Sequence, residues 1–181
     1  HGFEKITDDF FEQVQKDEIA LITHSSIDYR KKTQGKRSKI GEPLPSWRDE
    51  YDLEITKLIS KYDFDIGVLA GYMLIFTKTF VEKFPLINLH PALPNGPKGT
   101  WQEVIRELIK SDAQKTGLMI HRVTAEVDLG PILATCEFKL DDAKFNDARQ
   151  STKEGTNLDE SELFKLIREE TVKRESPFVT T

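Results

Sequence analysis

The sequence predicts an α/β protein in which an open, mostly parallel sheet carries helices on both faces. Short apolar runs at residues 65–70 (DIGVLA) and 86–90 (LINLH) are typical of strands that are buried on both sides. Around these runs, apolar residues recur at intervals of three and four, as they do in amphipathic helices. At 181 residues with 38% hydrophobic residues, the chain is long enough to build a proper core.

The start of the chain predicts a helix followed by a strand. Thr7-Asp8-Asp9 can cap a helix that ends near Lys16. The run IALIT at residues 19–23 then predicts a short buried strand. His24 follows this strand and is either a surface or turn histidine or a second catalytic imidazole; no partner residue is adjacent to it in the sequence.

Residues 25–45 are polar and interrupted by proline and glycine, which predicts a loop. Six basic residues lie between positions 30 and 39, so this loop is either solvated surface or a contact for an anionic group of a ligand. Apolar residues at helical spacing then predict a helix over residues 47–61, behind a Ser46/Asp49 capping box. We expect Trp47 and Tyr51 of this helix to pack in the core.

The second half of the chain predicts two helices and a pair of strands. A Thr-x-x-Glu pair predicts the capped start of a short helix over residues 79–84. Residues 101–110 (WQEVIRELIK) have apolar side chains three and four apart and predict a helix that packs on the sheet. Apolar runs at residues 118–123 and 132–138 predict two strands that pair like a hairpin.

The predicted domain organisation is a single domain over residues 1–181. Its catalytic core spans residues 46–140, a polar and turn-rich linker spans 141–157, and a C-terminal helix spans 158–174. The residues of that helix expected to face inward are Leu163, Leu166, Ile167 and Val172.

Composition narrows the classes of function. A net charge of −5 and a pI near 5.5 argue against a nucleic-acid partner. Cys136 is the only cysteine and the four histidines lack ligand spacing, so we expect no metal. No apolar run approaches the roughly 18 residues of a membrane span, and no signal pattern opens the chain. These features predict a cytoplasmic protein with no membrane partner, either a monomer or a homodimer.

Asn88 and His90 are the strongest candidates for chemistry. Side chains alternate faces along a strand, so two residues that are two apart point the same way. Pro91 keeps the end of the strand extended and leaves the imidazole at the carboxyl edge, where open α/β sheets bind ligands. Asp128 lies forty residues after Asn88, in a Val-Asp-Leu-Gly-Pro turn between the two later strands.

These motifs carry a resemblance. NLHPALP followed by GTW, IHRVTAEVDLGPIL about thirty residues later, and the preceding VLAGYMLI resemble the folate-dependent formyltransferases, most closely the phosphoribosylglycinamide formyltransferases. The resemblance implies their Rossmann-like fold, with the family's first β-α-β portion absent from this sequence. It implies no metal and a catalytic set of Asn88, His90 and Asp128.

The resemblance also implies which residues bind the ligands. The expected contacts to the folate are Met73, Leu74, Ile75, Phe76, Val123, Thr124, Glu126 and Val127. The expected contacts to the acceptor are Pro91, Gly96 and His121, although a buried, hydrogen-bonded strand histidine is an equal alternative for His121. The basic residues between positions 30 and 39 could meet a phosphate or the glutamate tail of a folate. Leu74 stands where many members carry an arginine.

The implied reaction is transfer of a formyl group from 10-formyltetrahydrofolate to a small-molecule amine. Glycinamide ribonucleotide, an intermediate of purine biosynthesis, is the default acceptor. In this interpretation His90 moves the proton, Asn88 stabilises the oxyanion and Asp128 orients the imidazole. The alternatives are a sugar amine, a tRNA-bound amine or water as acceptor, or a relative that binds folate without catalysis.

Overall fold

The computed structural model describes residues 8–38, 41–152 and 157–180, which form two compact units. The first unit comprises residues up to 65 together with 71–84, and the second comprises 66–70 and 85 onward. The helices of the first unit are α1 (Asp8–Lys16), α2 (Ser26–Lys32), α3 (Trp47–Ile59) and α4 (Lys78–Lys83). The second unit contains β1 (Gly67–Leu69), β2 (Leu86–His90), α5 (Trp101–Lys110), β3 (Lys115–Arg122), β4 (Ile132–Lys139), α6 (Ala143–Ser151), a 3-10 turn (Leu158–Glu160) and α7 (Glu162–Thr180).

The strands of the second unit form one sheet in the order β1-β2-β3-β4. β1 pairs with β2 in parallel, whereas β2 with β3 and β3 with β4 are antiparallel. The α/β class is therefore confirmed, and among the described strands the sheet is mixed, with one parallel and two antiparallel pairings. The predicted hairpin of β3 and β4 is also confirmed, since residues 123–131 are fewer than the dozen or more that a parallel crossover needs.

Three helices of the second unit bury a common core with the sheet. The core residues are Ala92, Val104, Ile105, Leu108, Phe138, Leu140, Phe145, Ala148, Leu163, Phe164 and Ile167. The predicted helix over residues 101–110 is confirmed with both ends, and Thr100 and Glu103 close a reciprocal capping box at its start. This box fixes the residue at which the loop after β2 turns into α5.

The first unit is built around the buried face of α3. Trp47 and Tyr51 are 5% and 3% exposed, which confirms that they pack in a core. The Trp47 indole N–H donates to the Lys36 carbonyl at 2.8 Å. Phe76 and Phe80 stack with ring centroids 4.4 Å apart. Aromatic packing therefore dominates this unit.

Two predicted segments differ in the structure. Residues 19–23 form no strand, because no described strand pairs with them and Ile19, Leu21 and Ile22 are 58%, 47% and 42% exposed. The predicted linker at 141–157 contains α6, whose Phe145 and Ala148 are buried in the core. Two apolar residues in a polar segment suffice for a helix when tertiary packing stabilises it.

Smaller corrections concern helix ends and burial. Ser46 has helical backbone angles and makes no side-chain cap, and α4 begins at Lys78 behind Thr77 rather than at Thr79. The strand predicted over residues 65–70 shortens to β1, and it is partly exposed because it is an edge strand of the described sheet. The helix predicted over 158–174 divides into the 3-10 turn and the longer α7.

In α7 the apolar prediction holds at three positions and fails at one. Leu163 and Ile167 are buried and the partly buried Leu166 packs against the core, whereas Val172 is 44% exposed. Residues 25–45 contain α2 rather than forming only a loop, since Ser25 caps its first turn. The predicted cap residue Thr7 lies outside the described residues, and the single-domain organisation stays a prediction.

Candidate active site at the end of β2

The site begins with two side chains on one face of β2. Asn88 and His90 are two residues apart in the strand, and Asn88 is paired with His121 of the antiparallel neighbour β3. Directly paired residues of antiparallel strands project to the same face. As a result, the Asn88 Nδ2 and His121 Nε2 atoms lie 3.2 Å apart. A register shift between Ile120 and His121 in the pairing of β3 with β4 marks an irregularity at this histidine.

Asp128 reaches the same place from the β3–β4 loop. Its backbone is left-handed, with φ of 55°, a conformation that aspartate tolerates better than most residues. A Cβ at Gly130 would meet the Arg122 carbonyl oxygen at 1.8 Å, so the return of the loop requires glycine there. The Arg122 amide donates to the Pro131 carbonyl at 2.9 Å and closes the loop.

The Asp128 carboxylate lies between two imidazoles. Its Oδ2 atom is 3.7 Å from His90 Nδ1, and its Oδ1 atom is 3.5 Å from His121 Nε2. His90 and His121 are 4% and 2% exposed, and the carboxylate side chain is 12% exposed. One carboxylate therefore serves two nearly buried rings at distances longer than a normal hydrogen bond.

Contacts with backbone carbonyl groups determine which nitrogen of each imidazole carries the hydrogen. His90 Nε2 lies 3.3 Å from the Pro97 carbonyl oxygen, and His121 Nδ1 lies 2.9 Å from the Arg122 carbonyl oxygen. Carbonyl oxygens only accept, so these two nitrogens carry hydrogen and donate. In the neutral rings the lone pair of His90 is then on Nδ1, facing Asp128, and that of His121 is on Nε2, between Asn88 and Asp128.

Burial and charge shift the three pKa values in different directions. Burial lowers the pKa of His90, although the Asp128 charge opposes this. The polar contact with the Asp128 carboxylate raises the pKa of His121 despite burial. Burial pushes the pKa of Asp128 upward, but the contact with His121 and the charges of both histidines leave it lowered. The site thus holds an ionised carboxylate beside a neutral His90.

The structure brings four predicted residues together: Asn88, His90, His121 and Asp128. Pro91 and Gly96 belong to the loop that follows β2, where the Gly96 amide donates to the Leu93 carbonyl at 2.8 Å. The predicted folate residues between positions 123 and 127 lie on the same loop as Asp128. Those between 73 and 76 belong to the first unit, so their contribution to a shared site stays a prediction.

Sequence reasoning missed the carbonyl of Pro97 as the partner of His90. Every residue has a carbonyl group, so this acceptor has no signature in the sequence. His24, the alternative catalytic histidine, belongs to the first unit, where its ring stacks on Tyr51 at 5.1 Å and its Nε2 atom is 3.2 Å from Glu54 Oε2. These contacts indicate a structural role for His24.

No group of three or more His, Cys, Asp or Glu side chains in the described ranges is arranged to hold a metal ion. Within the same residues, none of the helices is both long enough and apolar enough to cross a membrane.

Comparison with known proteins gives one consistent family. A family model described as formyl transferase matches residues 4–163. Phosphoribosylglycinamide formyltransferase of Dictyostelium discoideum is 35% identical over 109 residues, which cover 55% of this chain and 53% of that protein. The Escherichia coli (strain K12) protein of the same name is 35% identical over 88 residues, 48% of this chain and 41% of that one. The chain thus spans about half the length of these relatives.

Solved structures agree on the fold. The phosphoribosylglycinamide formyltransferase of Campylobacter jejuni superposes with a TM-score of 0.54 at 27% identity, over 71% of this chain and 56% of that chain. The Bacillus halodurans protein of the same name superposes with a TM-score of 0.63 at 21% identity, over 95% of this chain and 71% of that chain. The latter likeness concerns the Rossmann-like α/β fold alone. Because the family model covers most of the sequence, the chain belongs to the formyl transferase family.

Proposed function

We propose that the protein transfers a formyl group from 10-formyltetrahydrofolate to an amine, with glycinamide ribonucleotide as the default acceptor. The observation that carries this proposal is the Asp128 carboxylate shared by two buried imidazoles beside the Asn88 carboxamide. Formyl transfer requires a group that moves a proton and a donor for the developing oxyanion, and this cluster supplies both. The names of the relatives support the choice of acceptor.

His90 acts as the base through Nδ1. The acceptor nitrogen attacks the formyl carbon, the bond from that carbon to N10 of the folate breaks, and N10 leaves with a proton. His90 takes this proton from the attacking amine and returns it to N10. Its Nε2–H is held by the Pro97 carbonyl, so Nδ1 is the available lone pair, and the lowered pKa keeps the ring neutral before reaction.

Asn88 stabilises the negative charge on the formyl oxygen. When His121 is neutral, its Nε2 accepts one of the two N–H groups of the carboxamide and leaves the other free. When His121 is protonated, it donates to Asp128 instead, and both N–H groups are free. A donor to the formyl oxygen is available in either state; one such donor typically contributes about 10²–10³ in rate.

Asp128 stabilises the cationic form of His90 after proton uptake. The His90 Nδ1 and Asp128 Oδ2 atoms are 3.7 Å apart, which is too long for a direct hydrogen bond. An N–H group of the incoming amine can therefore approach both atoms. His121 and Arg122 hold the other side of the carboxylate and its loop. In this arrangement His121 contributes to the acceptor site by orienting Asn88 and Asp128.

The residues that bind the folate and the acceptor are assigned from the resemblance to the folate-dependent formyltransferases. We assign the folate to Met73–Phe76 and to the loop residues Val123, Thr124, Glu126 and Val127, and the acceptor to Pro91 and Gly96. The Phe76 ring is stacked against Tyr72 at 4.3 Å, so its contact with folate would come from the backbone. We also propose a cytoplasmic location and a monomer or homodimer; none of these steps requires a metal.

Mass spectrometry of the products tests the proposal. The purified protein is incubated with 10-formyltetrahydrofolate and, separately, with glycinamide ribonucleotide, an amino sugar, an aminoacylated tRNA or no acceptor. We expect a mass increase of one formyl group on glycinamide ribonucleotide. Formyl transfer to another amine, or release of formate without one, would change the acceptor. Folate binding without any product would contradict catalysis.

A further inference from the structure

A buried ion pair in the first unit contacts the backbone of the segment assigned to the folate. Arg48 and Asp52 are one turn apart on α3, with the Nη2 and Oδ1 atoms 2.7 Å apart. Their side chains are 0% and 2% exposed. Burial of a charged pair costs less free energy when its other polar atoms are hydrogen-bonded. Among the described residues Arg48 Nη1 has no such partner, whereas Arg48 Nε and Nη2 and both Asp52 carboxylate oxygens have one. Its further partners are therefore informative.

Those partners are two backbone atoms that flank Phe76. Arg48 donates to the Ile75 carbonyl oxygen from Nη2 at 2.8 Å and from Nε at 3.3 Å. The Thr77 amide donates to Asp52 Oδ2 at 2.7 Å. Each member of the pair therefore binds its partner and also the segment, so the guanidinium and carboxylate join α3 to residues 75–77 at two points.

Ring stacking restrains the same segment and the same guanidinium. The Phe76 ring lies between Tyr72 and Phe80, with centroid distances of 4.3 and 4.4 Å. The guanidinium carbon of Arg48 is 5.0 Å from the Trp47 ring centroid and 5.2 Å from that of Tyr51. The two rings restrain the Arg48 guanidinium through cation–π contacts, and its two hydrogen bonds restrain the orientation of the Ile75 carbonyl.

We propose that Arg48 and Asp52 are positioning residues for the formyl donor: they hold the backbone of residues 75–77 in the conformation that binds the folate. This inference rests on the proposed function of residues 73–76. Because the pair acts on a binding segment rather than on the reacting atoms, its loss raises the KM for 10-formyltetrahydrofolate and leaves kcat largely unchanged.

The test replaces the pair without leaving a buried charge. The double variant Arg48→Met with Asp52→Leu keeps the volume apolar, a type of exchange that is often neutral for stability. We expect a folded protein with a moderately lower unfolding temperature, because the Ile75 carbonyl and the Thr77 amide lose their partners. The KM for 10-formyltetrahydrofolate should rise about tenfold or more, since small misplacements of binding groups are costly. Hydrogen exchange at the Thr77 amide should accelerate, which measures the lost contact independently of activity.

A second variant and a matched control complete the test. Arg48→Lys keeps the charge opposite Asp52 but lacks the planar fork that serves two acceptors, so its KM should rise by a smaller factor. The control is Lys78→Met with Glu82→Leu, which removes an exposed i,i+4 pair on α4 with atoms 3.6 Å apart. This control should keep the parent KM and Thr77 protection.

The outcomes separate the inference from the proposed function. A stable double variant with the parent KM would overturn the positioning role while formyl transfer stands. If the double variant unfolds, an Arg48→Lys protein with unchanged KM overturns it equally. A parent protein that neither binds nor converts 10-formyltetrahydrofolate would overturn both the function and the inference that depends on it.

Discussion

Charged side chains are buried at two sites, the Arg48–Asp52 pair and the cluster around Asp128, which differ in contact distance and in exposure. In the Arg48–Asp52 pair, Asp52 is 2.7 Å from both the Arg48 guanidinium and the Thr77 amide nitrogen, and both charged side chains are almost fully buried. In the cluster around Asp128 the carboxylate is 3.5 and 3.7 Å from its two histidines and remains 12% exposed. Short contacts to fixed partners hold a conformation, whereas longer contacts to imidazoles, which can gain and lose a proton, leave room for a proton to move.

The comparison predicts that removal of the proton-moving group has the largest effect on activity. His90→Ala should lower kcat by about 10³–10⁴, the upper range for general acid–base catalysis, while folate affinity stays within a few-fold. Steady-state kinetics and titration of the folate measure the two quantities. The matched control is His24→Ala, a histidine stacked on Tyr51, which should retain activity. Parent-level turnover by His90→Ala would refute the base assignment.

The second prediction breaks the rigid pair. Asp52→Asn leaves the Arg48 charge buried without its counter-ion, so the free energy of unfolding should fall by about 3–5 kcal/mol. Chemical denaturation measures this loss. Glu82→Gln, in the exposed pair with Lys78, should cost far less because water screens both charges. An equal loss in the two variants would show that burial of the Arg48–Asp52 pair does not determine its contribution.

The third prediction sharpens the comparison at Asp128. Asp128→Asn should lower kcat by roughly 10–10² because the cationic His90 loses its counter-charge. The Asp128 charge raises the pKa of His90 against burial, so its removal lowers that pKa further. The rate rises as His90 loses its proton, and therefore the acidic limb of the pH–rate profile should move to lower pH.

The pH dependence of stability provides a second, independent test of the Asp128→Asn variant. The pKa of Asp128 is lowered in the folded protein, so its contribution to stability is present above its unfolded pKa and is lost as the pH falls through the folded pKa. The stability difference between parent and Asp128→Asn should therefore shrink in acid. Asp112→Asn is the matched control, since Asp112 has a similar positive φ but is an exposed partner of Arg149. An unshifted pH–rate profile would remove Asp128 from the mechanism.

The elements that sequence patterns predicted well are those with strong local signals. The strand that ends at His90 before proline, the helix of residues 101–110 and the two strands around the Asp128 loop are confirmed. Residues 19–23 and 141–157 were mispredicted because local composition does not reveal whether a partner strand or a core is present. The hairpin of β3 and β4 was predicted, whereas the antiparallel pairing of β2 with β3 depends on the connection through α5 and has no signature in the apolar runs.

Within the candidate site, the sequence determined which groups can do chemistry. Alternation along β2 put Asn88 and His90 on one face, and the turn chemistry before Gly130 made Asp128 suitable for a left-handed loop position. Tertiary structure alone decided that one carboxylate serves both histidines, that the Pro97 carbonyl holds the His90 ring, and that Arg48 and Asp52 hold the backbone around Phe76. Backbone acceptors are identical along the chain, and only the fold selects which of them meets a given side chain.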